Sequence, residues 1–187
     1  MHRPIVNFIL FQASWFACVL GGAYGYTWFG VVATVIWLAL HLAGHPNRDG
    51  EIKLFVMGAI LGYCFDSLLV VSNVLVFPSQ AELLGPSPLW MVALWLGFVA
   101  TFHNAMQWMS GRYWLGAILG AIAGPFAYWG GARMGAVEFG HSFTNSMLAI
   151  SIEWTIAMPL LLFVSMKTDL VSADDEDEST SPDGDGE

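Results

Sequence analysis

The sequence predicts an all-α membrane protein, a compact bundle of about six transmembrane helices with N and C termini in the cytoplasm. Three observations carry that reading. Hydrophobic residues make up 56% of the 187 and charged residues 11%, with a mean hydropathy of +0.60, values outside the soluble globular range. The apolar residues gather in runs close to the roughly 20 residues that cross a bilayer at 1.5 Å each. If those runs alternate in direction, Arg3, Arg48, Lys53, Arg112 and Lys167 fall on one side and Arg133 alone on the other. The positive-inside rule makes the first side cytoplasmic.

The first run covers residues 5–24, an apolar stretch with Asn7, Gln12 and Trp15 inside it. Its short charged start resembles a secretory signal, but Gln12, Trp15 and Phe16 suit a cleavable core poorly. The second run, residues 27–45, ends at Pro46, and residues 47–53 read as a polar connector. The third, residues 54–77, is the stretch around which the chain is organised, because it places Asp66 near the membrane midplane. Helical spacing sets Tyr63, Asp66, Val70 and Asn73 on one face and leaves Leu68, Leu69, Val71 and Leu75 for lipid or packing. A Pro-, Gly- and Ser-containing loop, residues 78–88, leads to the fourth run, residues 89–109. The turn Ser110-Gly111-Arg112 opens the fifth, residues 113–135, and the sixth covers residues 144–166. The remainder, residues 168–187, carries nine acidic and no basic residues. Low hydrophobicity and high charge predict a disordered tail there, so residues 1–167 form the transmembrane domain.

Charge is informative once located. The net charge of −9 comes from that tail, since the other 167 residues hold six basic and six acidic groups. No basic surface points to nucleic acid. There is no phosphate-binding loop, dinucleotide glycine pattern or Gly-x-Ser-x-Gly elbow. Cys18 and Cys64 lie within apolar runs and read as small packing residues.

Helices in lipid associate through small residues that let backbones approach. Gly116, Gly120 and Gly124 repeat at spacing four in the fifth run, as do Gly58 and Gly62 in the third. The stripe suits contacts within one chain and also suits a homo-oligomer or another membrane-protein partner. Pro125 and Pro159 remove helix hydrogen bonds and predict kinks or a local cavity. Trp28, Trp90 and Trp114 near run ends suggest an interfacial belt, whereas Trp15, Trp95 and Trp154 lie deeper and suggest the wall of a pocket.

Aligning the runs by their centres sets Gln12, Asp66 and Glu153 within about one helical turn of the midplane, with His103 and Asn104 a turn nearer the cytoplasm. No Lys or Arg lies at that depth. A carboxylate there costs about 2.5 to 3.5 kcal/mol on insertion scales. It must therefore be protonated, hydrogen-bonded by neighbours such as Gln12, Asn104, Gln107 and His103, or neutralised by a bound cation or substrate. Asp66, Glu153 and His103 are the candidate catalytic groups, because a buried acid can donate a proton and a nearby histidine can accept one. Gln12, Trp15, Asn73, Asn104 and Gln107 are candidate substrate contacts, although Gln12, Asn73, Asn104 and Asn145 also suit interhelical hydrogen bonding alone. His41 and His45, spaced i, i+4, permit one metal from one helix face. With no third histidine or cysteine close in sequence, no metal or cofactor is assigned.

The phrases FQASWFACVLGGA (residues 11–23), GYCFD (62–66), PLWMVALWLGFVATFHNAMQW (88–108), GAIAGPFAYWGGARMGA (120–136) and IEWTIAMPLL (152–161) together resemble the bacterial inner-membrane family known as domain of unknown function 2878. The similarity spans most of residues 5–166 and leaves out the acidic tail. It implies a compact multi-helix protein of the inner membrane. Because members are often encoded near genes for lipid modification, it also implies a lipid or other hydrophobic molecule as the partner. The family supplies no catalytic residues to carry over. The expected function is handling or modifying such a molecule in a mid-membrane polar pocket, directly or as an accessory subunit; the alternatives are a proton-linked solute transporter and a structural membrane partner.

Overall fold

In a computed structural model the described residues, 3–78 and 85–180, form six α-helices: α1 (Arg3–Tyr24), α2 (Thr27–Ala43), α3 (Arg48–Val71), α4 (Leu89–Val99), α5 (Tyr113–Arg133) and α6 (Phe143–Thr180). Four of them, over Pro4–Tyr24, Arg48–Val71, Tyr113–Arg133 and Phe143–Thr168, are long and apolar enough to cross a membrane. Their outward faces carry Ile5, Phe8, Ile9, Ile60, Ile118, Ile122, Ile152 and Ile156, all exposed. That surface suits lipid, because water would penalise it at about 25 cal/mol per Å².

The other two helices are apolar but shorter, and α4 departs most from the sequence expectation. Its helix stops at Val99 instead of continuing to Met109, and the chain passes through turns into a 3-10 turn at Gln107–Met109. The reason is its surroundings. Helix α4 packs against α1, α2 and α3, and the turn after it is itself buried at Ala100, Thr101, Phe102 and Met109. Non-helical backbone is tolerated at membrane depth where protein covers it. Here Thr101 Oγ1 donates to the Phe98 carbonyl at 2.6 Å and its own carbonyl accepts from the Met106 amide at 2.8 Å.

Helix α3 also differs, starting at Arg48 rather than Leu54 and ending at Val71 rather than Phe77. Asn47 caps it by accepting from the Gly50 amide at 2.8 Å, a local interaction that extends the helix into the stretch read as connector. At its far end Asn73 takes a left-handed conformation with φ 57°. The chain then turns into β1 (Leu75–Val76), which pairs antiparallel with β2 (Glu138–Phe139), Leu75 opposite Phe139. Helix α6 continues past Met166 to Thr180, into the segment expected to be disordered; residues 181–187 of that segment lie outside the described residues.

The elements run up and down. One end gathers the start of α1, the end of α2, the start of α3, the turn after α4, the start of α5 and residues 165–168 of α6. Asn7 Nδ2 donates to the Ala100 carbonyl at 3.1 Å, Tyr113 donates to the Met166 sulfur at 3.1 Å, and His103 meets both Glu51 and Ser165. The β1–β2 pair lies at the other end, where Tyr26 and Gly25 also join α1 to α2.

Helix pairs approach through glycine. Gly116 faces Leu162, Gly120 faces Met158 and the Trp154 carbonyl, and Gly124 faces the Trp154 side chain, so the stripe considered for a homo-oligomer is covered by α6 of the same chain. Gly58 and Gly62 admit Val99 and Trp95 of α4 in the same way. Pro125 lies inside α5. The carbonyl that lacks a partner because of it, Ala121, accepts from Ser151 Oγ of α6 at 2.8 Å.

Candidate functional site

Two polar constellations are buried in the bundle. The first centres on Asp66, which is fully buried. It lies one turn after Gly62, whose missing side chain lets the Trp95 indole lie against α3. From there Trp95 Nε1 donates to Asp66 Oδ2 at 2.7 Å, and the Tyr128 hydroxyl of α5 donates to Oδ1. One carboxylate therefore ties α3 to α4 and to α5. Among the described residues no basic side chain pairs with it.

Glu153 of α6 is buried at 6% exposure. Neither of its oxygens has a hydrogen-bond partner among the described residues. Next to it in sequence, Trp154 stacks on Trp95 at 4.9 Å between centroids and 14° between planes. Phe98 meets Trp154 edge-on at 5.4 Å.

These aromatic rings wall a cavity of about 550 Å³ between α1, α4, α5 and α6, floored by the turn after α4. Gln12, Trp15, Trp95, Phe98, Tyr128 and Trp154 all line it. Helix α5 packs chiefly on α6 and meets α1 where Gly130 faces the Trp15 ring; the cavity lining includes the exposed Phe126 and Trp108. Exposed apolar side chains thus border the cavity.

The second constellation lies at the end of the bundle where α2 finishes. His41 lies in the last turn of α2 and His45 two residues past its end, their rings stacked at 5.3 Å between centroids. Pro46 ends the run, and the Asn47 cap starts α3, which brings Glu51 back beneath both rings. Glu51 is 1% exposed. His41 Nε2 lies 3.0 Å from Oε2, His45 Nε2 lies 3.3 Å from Oε1, and His103 Nδ1 lies 2.5 Å from Oε1. Each outer ring nitrogen of two of them has its own partner: His45 Nδ1 lies 3.0 Å from the Asn47 carbonyl, and His103 Nε2 lies 2.7 Å from the Ser165 hydroxyl and 3.1 Å from the Ser165 carbonyl.

The structure therefore divides the sequence candidates. Asp66, Glu153, Gln12 and Trp15 belong to the mid-bundle layer, although Asp66 lies behind Trp95 and Tyr128 instead of lining the cavity. His103 belongs to the second constellation, so the grouping of His103 with Asp66 and Glu153 is corrected. It stands on the turn that replaces the end of the expected fourth helix. That turn also holds Asn104, whose side-chain nitrogen is buried without a partner among the described residues, and Gln107, which is exposed. Asn73 is exposed beyond the end of α3 and not on the Asp66 face, because the helix has already ended. Trp90, expected in an interfacial belt, is buried at 2% exposure against Gly22.

Two residues were missed. Tyr128 is flanked by aromatic residues within an apolar run, and nothing in its sequence neighbourhood distinguishes it. Glu51 was set aside as part of a connector; the signal that finds it is Asn47 as a helix cap, which brings the helix start forward to include it.

The family described as Protein of unknown function (DUF2878) matches residues 4–160. The chain belongs to this family. No curated protein and no solved structure matches it. Both constellations of this DUF2878 chain lie largely within the matched residues; Ser165 falls just outside them.

Proposed function

We propose that this protein takes up a lipid or another hydrophobic molecule sideways from the bilayer, into the cavity between α1, α4, α5 and α6, and handles or modifies it there, alone or as a subunit of a lipid-modifying system. All six helices cross the membrane in this reading, with α4 completed by its buried turn. In this reading the membrane is the bacterial cytoplasmic one, as the family resemblance implies, and both termini lie inside, an orientation that the distribution of Lys and Arg supports.

The observation that carries the reading is the cavity itself. Its volume falls within the roughly 300–1,000 Å³ of small-molecule sites, and it has their character, apolar walls with few polar groups. Tyr128 supplies one polar contact, backed by Asp66; Gln12 supplies another. The aromatic walls suit an acyl chain or ring system and offer little to a hydrated solute.

A proton-linked pathway is the second reading, favoured by Glu153, a buried acid without hydrogen-bond partners among the described residues, in a bundle that buries a second acid, Asp66. A purely structural role expects buried polar groups to satisfy one another. Glu153 speaks against it.

Lipid mass spectrometry tests the proposal in four strains: gene deleted, restored with the native chain, restored with Asp66→Asn, and restored with Ala127→Trp, which fills the cavity from α5. Membrane levels of each variant are checked by immunoblot. One lipid class should change on deletion and be repaired by the native chain alone. An unchanged lipidome in all four strains refutes lipid handling and directs attention to proton-coupled uptake in vesicles.

A further inference from the structure

The Glu51 constellation lies at the end of the bundle opposite β1 and β2, and the proposed lipid cavity does not use it. Its hydrogen-bond pattern constrains its chemistry. A backbone carbonyl only accepts, so the Asn47 carbonyl places the His45 proton on Nδ1. In the neutral ring this leaves the Nε2 lone pair of His45 facing Oε1 of Glu51 at 3.3 Å. His103 Nδ1 meets the same oxygen at 2.5 Å, and its Nε2 lies 2.7 Å from the Ser165 hydroxyl, which can donate to it. A lone pair set against a carboxylate oxygen calls for a positive charge between them.

We propose that His41, His45 and Glu51, with His103 on the same carboxylate, form a binding site for one divalent first-row transition-metal ion of the zinc class. The donor atoms of His41, His45 and Glu51 all lie within 4.8 Å of one another. Donors about 2.0–2.2 Å from a common ion lie roughly 3 to 4 Å apart, so small side-chain movements close the site. Two imidazoles and a carboxylate are a recurrent set for zinc and for non-haem iron. The Asn47 carbonyl behind His45 and His103 against Glu51 provide the outer contacts that orient ligands at metal sites. Calcium and magnesium are disfavoured, since they prefer all-oxygen sites. The rings are 8%, 15% and 11% exposed for His41, His45 and His103, which leaves a route for an ion from the bundle end.

The test uses full-length protein in lipid nanodiscs, stripped with chelator and titrated with zinc. The native chain should bind one equivalent and, with cobalt(II) in place of zinc, develop visible d–d absorption. His45→Ala and Glu51→Gln should each weaken zinc binding by at least about tenfold, the scale on which even outer contacts matter. Zinc should also protect His41, His45 and His103 of the native chain from histidine-directed acylation, mapped by mass spectrometry, while the exposed His141 at the other end still reacts. The protection experiment needs no variant, so a misfolded mutant cannot decide the outcome. Absence of stoichiometric zinc binding overturns the proposal. Binding that neither protects the three rings nor depends on His45 and Glu51 overturns it equally.

Discussion

Asp66 and Glu153 are both buried acids in the mid-bundle layer, yet their surroundings predict opposite responses to substitution. Asp66 accepts from Trp95 and Tyr128 on separate helices, so removing one donor leaves a carboxylate oxygen buried and unpaired. Tyr128→Phe keeps the ring in place and should destabilise the protein by about 1–3 kcal/mol, read as a lower unfolding midpoint in detergent titration. Glu153 has no hydrogen bonds among the described residues to lose. Glu153→Gln should therefore leave the midpoint unchanged or raise it, because burying a lone carboxyl is costly from the start. If the same variant fails to restore the lipid profile, Glu153 serves function and not the fold; a clear loss of stability would show that it has a structural partner after all. What the sequence revealed at this scale was expense. An acid inside an apolar run is conspicuous because hydrocarbon penalises it. Tyr128 and Glu51 carried no such mark, one being tolerable in an apolar helix and the other ordinary beside Lys53 and Asp49.

Periodicity and run length located all six helices, and the starts of α2, α4 and α5 fall where the apolar runs begin. The ends were less legible, because they depend on what lies beside them. Helix α4 stops at Val99 since its neighbours bury the turn that follows, and hydropathy cannot distinguish a buried turn from a continued helix. Asn47 extends α3 through a cap that a hydropathy reading passes over. Small-residue spacing was legible as close approach but silent on the partner, which for Gly62 is the Trp95 indole. A methyl group at that position overlaps the ring carbons, and Trp95 cannot retreat without giving up Asp66 and its stack on Trp154. Gly62→Ala should thus cost at least about 1–3 kcal/mol by overpacking and shift the Trp95 near-ultraviolet dichroism. Gly44 has nothing nearer than 3.8 Å to an added carbon, and Gly44→Ala, the matched control, should stay within about 0.5 kcal/mol of the native chain. Equal costs for the two would remove the argument that glycine at position 62 exists for Trp95.

At the scale of the molecule, alternation of the six helices brings His41, Glu51, His103 and Ser165 to one end from four separate segments, a convergence that no local pattern announces. The same alternation makes the membrane topology testable. Ser110, before α5, lies at the Glu51 end, and Ser142, before α6, lies at the β1–β2 end. Both are exposed. Helix α5, of 21 residues, is about 31 Å long at 1.5 Å per residue, enough to separate these positions by the whole hydrocarbon layer. In a chain with Cys18→Ser and Cys64→Ser, a membrane-impermeant maleimide should label Ser110→Cys only in inverted vesicles and Ser142→Cys only in intact spheroplasts. The asymmetry of Lys and Arg sets that sign, and the helix length sets the separation. Labelling of both from one side would mean that α5 does not cross, and the cavity beside it would then face water. Labelling with the two sides exchanged would keep the bundle and the cavity but place the histidine cluster on the outer face of the membrane, where the proposed metal would reach it from outside and not from the cytoplasmic pool.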